Sequence, residues 1–179
     1  MKSKIENPQV RYAADRFVTA GREDIADLTR AMKESGGGRI RICAHSAIDD
    51  RLHEMLIVHT SDVYVRPHKH VGKSESLHVI EGTADVVLFT ETGAVADVVP
   101  VGDYASGRTF YYRLADPVYH TLIITSPVFV FHETTNGPFR PEDTIWAQWA
   151  PDAGDASGAS AFMTTLNAAV AGRAGGNPR

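Results

Sequence analysis

The chain has 179 residues, enough for one domain with a real core. Its 43% hydrophobic and 22% charged residues are those of an ordinary globular protein, and its net charge of -4 argues against nucleic acid or an anionic membrane as main partner. One cysteine, Cys43, allows no internal disulfide, which suits a reducing cytoplasm, and neither a leader pattern nor an apolar run long enough to span a bilayer is visible.

Residues 1–18 are polar and without period, and read as an extended arm. From Arg22 to Glu34, Ile25, Leu28, Ala31 and Met32 recur at helical spacing, with Glu23 and Asp24 near the start and Lys33 near the end. The triplet Gly36, Gly37 and Gly38 stops this short amphipathic helix, whose apolar stripe needs a barrel face or a partner subunit for cover.

After the glycines the chain reads as short strands: 39–45, 53–59, 62–70, 76–80, 84–90, 95–101, 109–114, 120–125 and 128–133. β-Branched and aromatic residues dominate them, and the turns between are short, the clearest at Glu91, Thr92 and Gly93. This pattern predicts an all-β sandwich or barrel. Residues 137–151, with three prolines and with Trp146 and Trp149, read as too irregular for a strand and as a wrap that lays indoles over apolar surface. Beyond Asp152 the composition turns to Ala, Gly and Ser, with Phe162, Leu166 and Val170 at the spacing of one weak helix.

The chemistry concentrates in residues 64–82. Side chains alternate along a strand, so His68 and His70 face the same way, and a glycine-containing turn lets Glu75 fold back beside them. Two neutral imidazoles and one carboxylate suit a divalent first-row metal and leave room for a ligand from far downstream. Two surface histidines on an edge strand would leave the placing of Glu75 and Gly82 unexplained.

The spacing H-x-H-x4-E-x6-G resembles the first motif of the cupin superfamily, metal-binding proteins built on a double-stranded β-helix. The wider run VRPHKH, KSES, HVIEG, HTLI, NGPF and WAQWAP resembles the WbuC-like cupin metalloproteins, over roughly residues 38–151. The resemblance implies a jelly-roll-like, RmlC-like barrel at 38–151; outside it lie the arm and helix (1–37) and an added Ala/Gly-rich C-terminal extension (152–179), expected to be irregular and either partly helical or disordered. It also implies His120, before Thr121 and Leu122, as the distant ligand. The second cupin motif is otherwise lost, with Ala115, Pro117 and Ile124 where proline, glycine and asparagine belong.

The expected centre is therefore one divalent transition metal per chain (Fe, Mn, Ni, Co or Zn), held by His68, His70, Glu75 and His120. Tyr64 and Arg66 share the phase of the two histidines. Tyr64 and Glu75 are candidate catalytic groups, and Arg66, Lys73, His45 and Glu133 candidate substrate contacts. An inward Arg66 needs an anion, either a carboxylate such as Glu133 or a charged substrate. His45 is carried by the resemblance, and alternation does not decide between His132 and Glu133. His53, His59 and His78 are weaker candidates, and Tyr111, Tyr112 and Tyr119 are explained equally as phenols for proton transfer or as core.

Three functions fit. The first is a metal-dependent enzyme that polarises an oxygen of a sugar-like, anionic small molecule in isomerisation or epimerisation; by analogy with the WbuC group it is linked to surface polysaccharide. The second is an Fe(II)-dependent dioxygenase, and the third a cupin that binds a small ligand without changing it. A cytoplasmic homodimer is expected, and no dinucleotide fingerprint, P-loop or nucleophile elbow is present.

Overall fold

A computed structural model describes residues 1–174. The helix α1 (Arg22–Glu34) follows a hairpin of β1 (Ser3–Asn7) and β2 (Val10–Ala13). Then come β3 (Arg39–Cys43), β4 (Leu52–Thr60), β5 (His68–His70), β6 (Glu75–Glu81), β7 (Thr83–Phe89), β8 (Val95–Gly102), β9 (Tyr111–Leu114), β10 (Tyr119–Ile124), β11 (Val128–Asn136) and β12 (Thr144–Trp146). A second helix, α2, spans Ala156–Ala174.

The strands form two facing sheets, in the orders β1-β2-β3-β4-β11-β6-β9 and β12-β5-β10-β7-β8. Pairing is antiparallel except where β2 runs parallel to β3. This is a double-sheet barrel, with a short N-terminal helix and a C-terminal helix longer than the sequence suggests. Its interior is closed by Leu77, Val79, Ala84, Val86, Val101, Leu122, Ile124, Phe129 and Phe131.

Each helix covers the outer face of one sheet. Leu28 and Met32 of α1 are buried on Ile40, Ile42, Val58 and Val130, a contact in which each fully buried side chain stabilises by about 1.5–3 kcal/mol. The stripe is covered within the chain, so it gives no argument for a second copy. Leu166 and Val170 of α2 pack with Ala147 and Ala150 on Val87, Phe89, Tyr119 and Ile123. With both faces covered, every residue of β10 is buried. No helix among the described residues is long and apolar enough to cross a membrane.

Several expectations change. The arm at 1–18 is a hairpin that extends the larger sheet, because β2 pairs with β3 at Val10 and Arg41. The strand expected at 62–70 is regular only over His68–His70. Pro67 lacks an amide donor, and the carbonyls of Val65 and Pro67 are taken instead by the Thr121 hydroxyl and the Ala147 amide. The segment read as too irregular for a strand contributes β12, which pairs with β5. In the tail at 152–179 a single helix occupies Ala156–Ala174, and residues 175–179 lie outside the described residues.

Gly82 shows why the motif carries glycine there. Its φ is +86°, and a Cβ would sit 2.3 Å from the Val128 carbonyl oxygen, so any side chain would displace the turn into β7.

Candidate metal centre

Register brings the four expected ligands together. β5 and β10 pair with His68 opposite His120, while His70 faces Thr144 on the neighbouring β12. Lys69, between the two histidines, points away and pairs with Glu91 at 2.7 Å, as alternation requires. Glu75 opens β6 in the facing sheet and is buried. One ligand atom from each of His68, His70, Glu75 and His120 lies within 4.8 Å of the others.

The imidazoles are oriented by partners outside this cluster. Nδ1 of His68 donates to the Arg66 carbonyl at 2.8 Å, and Nδ1 of His120 to the Val118 carbonyl at 3.0 Å. Nδ1 of His70 lies 3.2 Å from the Thr144 hydroxyl. In His68 and His120 a proton held on Nδ1 leaves the Nε2 lone pair free, the arrangement found in histidine ligands whose second nitrogen is fixed by a neighbour. His70 and His120 turn Nε2 toward the Glu75 carboxylate, at 3.1 Å and 3.7 Å.

The protonation states agree with that use. Burial, reinforced by the charge of His120, lowers the His68 pKa to about 4, so its ring is neutral at pH 7. Burial alone would raise the pKa of Glu75, but the hydrogen bond from His70 and the three surrounding imidazoles outweigh it and hold the carboxyl ionised. Three imidazole nitrogens and one carboxylate oxygen are a donor set for Fe, Mn, Co, Ni or Zn.

The cluster lies between two connected lobes of about 360 and 400 Å³ that share Arg41, His68, Glu75, Glu133 and Trp146. Glu133 stands on β11 opposite Leu77 of β6, two residues along from the Thr135–Glu75 pair, and faces the cavity. Burial and then the Glu75 charge push its pKa up to about 8, against the opposing pull of Arg41. Its neighbour His132 turns outward, opposite His78. Burial also pushes the Tyr112 phenol, in the wall beside Glu75, well above its usual value.

The remaining expected contacts divide. Lys73 lines one lobe but is tied to the Pro138 carbonyl at 3.0 Å and to Asp143 at 3.1 Å. His45 lines the same lobe, stacked on His53 with centroids 4.0 Å apart, and accepts at Nδ1 from the Glu54 amide at 3.1 Å. Tyr64 is not brought to the metal cluster: its hydroxyl donates to the Pro151 carbonyl at 3.0 Å and its ring meets Phe162 of α2. Arg66 reaches a lobe, but it pairs with Asp152 rather than Glu133 and donates to the Ala147 carbonyl at 3.1 Å. It braces the C-terminal wrap.

Trp146, Arg39 and Arg41 line the cavity and escaped the sequence reading. Trp146 sits 5.3 Å from the His68 ring, where register on β12 puts it opposite His68. Arg41 follows from the alternation in R-I-R-I-C. Its isoleucines face α1, which turns the arginines and Cys43 toward the barrel interior. The amphipathic helix, which needs an apolar face of its own, was the signal.

A family model described as "Domain of unknown function (DUF6016)" matches residues 21–101. No curated protein matches the chain in sequence. Among solved structures it is similar to a Shewanella oneidensis protein at 11% identity over 62% of this chain and 73% of that one, with a TM-score of 0.49. It is similar to Bacillus subtilis oxalate decarboxylase at 16% identity over 60% of this chain and 27% of that one, TM-score 0.47. Brassica napus procruciferin, an 11S globulin, matches at 17% identity over 49% of this chain and 21% of that one, TM-score 0.41. The chain thus spans about a quarter of the length of the globulin and decarboxylase chains.

Proposed function

We propose that this chain is a divalent-metal-dependent enzyme acting on a small, oxygen-rich, anionic molecule, in a reaction of the isomerisation or epimerisation type. The observation that carries it is the convergence of His68, His70, Glu75 and His120 between two cavity lobes, with an enclosed carboxyl, Glu133, beside them. A metal held there supplies a Lewis acid that polarises a carbonyl or hydroxyl oxygen of the substrate. Glu75, kept ionised by the imidazoles, serves as ligand rather than as proton carrier. Glu133 is the group suited to move a proton, since a carboxyl raised toward neutrality both gives and takes one at pH 7. The indole of Trp146 and the apolar wall of Leu77, Leu122 and Phe131 exclude water from one side of the reacting carbon. The resemblance of VRPHKH, KSES and WAQWAP to the WbuC group supports a sugar-like substrate.

Isomerisation and epimerisation beside a carbonyl both exchange a carbon-bound proton with solvent. Sugar phosphates and sugar acids incubated with metal-loaded protein in D2O are expected to take up one deuterium, and Glu133→Gln to abolish the uptake while leaving metal content unchanged. Oxygen consumption by the iron-loaded protein, with no deuterium uptake, would replace this reading with oxygenase chemistry.

A further inference from the structure

The larger sheet carries two arginines on the face that looks into the barrel. Arg39 and Arg41 alternate on β3 with Ile40 and Ile42, whose side chains lie under α1. The guanidinium groups therefore stand on the cavity side, where both line the lobe that ends at His68, Glu75 and His120. Neither has a carboxylate within salt-bridge distance among the described residues, whereas Arg66 in the opposite wall is paired with Asp152. Arg41 shares the cavity with Glu133 but makes no ion pair with it.

Register fixes how these groups are grouped. Arg39 pairs with His59 of β4 and Arg41 with Ile57, so the arginines sit about 7 Å apart along the strand, flanked by an imidazole and an apolar wall. Burial and the Arg39 charge lower the His59 pKa to about 4, leaving that ring neutral. His59 is more than nine-tenths buried, and its Nδ1 has no hydrogen-bond partner; nor has the buried Nε of Arg66. The two guanidinium groups are exposed on the cavity and free to take a ligand, while the buried Nδ1 of His59, in the same lobe, is costly to leave without a polar partner.

We propose that Arg39 and Arg41 form an oxyanion subsite for a phosphate group of the substrate, on the β3 wall of the lobe that also holds His68, Glu75 and His120. Two planar forks on one strand present several donors to an anion with more than two oxygens, which favours a phosphate monoester over a carboxylate. The substrate class is then a small phosphorylated molecule that also offers oxygens to the metal. Calling the group a part of the substrate rests on the enzymatic reading above; the anion site itself does not.

The test is titration with inorganic phosphate and glycerol 3-phosphate, followed by tryptophan fluorescence, since Trp146 lines the lobe. Metal-loaded protein and a metal-free His68→Ala, His70→Ala variant are compared. Both are expected to bind phosphate saturably, Arg41→Gln to weaken it at least tenfold, and Arg39→Gln, Arg41→Gln together to abolish it. Arg41→Lys is expected to fall between, keeping charge without the fork. Melting temperature and metal content stay at wild-type values in the arginine variants, because both side chains are exposed on the cavity. Phosphate affinity that survives the double arginine substitution, that needs the metal, or that no form of the protein shows would each overturn the subsite. Metal content, measured on the same samples, reports separately on the metal centre.

Discussion

The two ends of the barrel interior are built from the same strands and differ in kind. Along β6 the inward positions run Glu75, Leu77, Val79; along β10, His120, Leu122, Ile124; along β11, Thr135, Glu133, Phe131, Phe129. Polar groups occupy one end of each strand and aliphatic or aromatic groups the other, with the change made in a single step of two residues. The dry end holds the sheets together by burial. The wet end gathers three imidazoles and two carboxyls at a cost in desolvation, offset by backbone carbonyls and mutual hydrogen bonds. One end of the interior stabilises the barrel, and the other is left free for chemistry.

The sharpest way to separate them is to damage the dry end alone. Phe129→Ala, at a fully buried position, is expected to cost about 3–5 kcal/mol of unfolding free energy in urea, with metal stoichiometry unchanged in the protein that remains folded. A metal loss that tracked this variant would mean that the ends are not independent.

The next effect has a sign that distinguishes the wet end. The Glu133 pKa is about 8, above its usual 4.5, so the folded state holds a proton that the unfolded chain has released across pH 4.5–8. Stability of the metal-free protein should therefore fall as pH rises through that window. Glu133→Gln is expected to remove most of this dependence, stabilising the protein at pH 8 by about 1–3 kcal/mol relative to its effect at pH 4.5. Metal loading should shrink the effect as well, since a cation on Glu75 cancels the charge that raises Glu133. Thermal melts at pH 4.5, 6 and 8 check both.

Smaller again is Thr144→Val, which removes the hydroxyl at His70 Nδ1 without changing shape. Metal affinity should fall by about tenfold, read by competition with a chelator, while the melting temperature barely moves. Tyr64→Phe, which loses the bond to the Pro151 carbonyl, should cost about 0.5–1.5 kcal/mol and leave metal affinity unchanged. An effect on metal would return Tyr64 to the site.

The same contrast explains what the sequence showed and what it hid. His68, His70 and Glu75 were legible because one strand and one turn place them, so local spacing is enough. His120 was legible only through resemblance; its meeting with His68 depends on pairing across 52 residues, which local periodicity does not carry. Alternation could not choose between His132 and Glu133 because no fixed point set the phase of β11. Arg41 was hidden because alternation in R-I-R-I-C does not say which face looks inward; α1 decides it by burying the isoleucine face of β3. The strand expected through Tyr64 and Arg66 broke at Pro67, so their shared phase did not carry Tyr64 to the cavity. The helices were legible from their stripes, but only the structure showed which sheet each one covers.

The central claim is that the wet end is a metal centre made by register, with His120 as essential as the two motif histidines. Elemental analysis of protein purified without chelator, wild type beside His120→Ala, tests it most directly. The account predicts about one equivalent of a divalent transition metal in the wild type and less than about a tenth in the variant, with the variant still folded by circular dichroism. Full occupancy in a folded His120→Ala protein would contradict it.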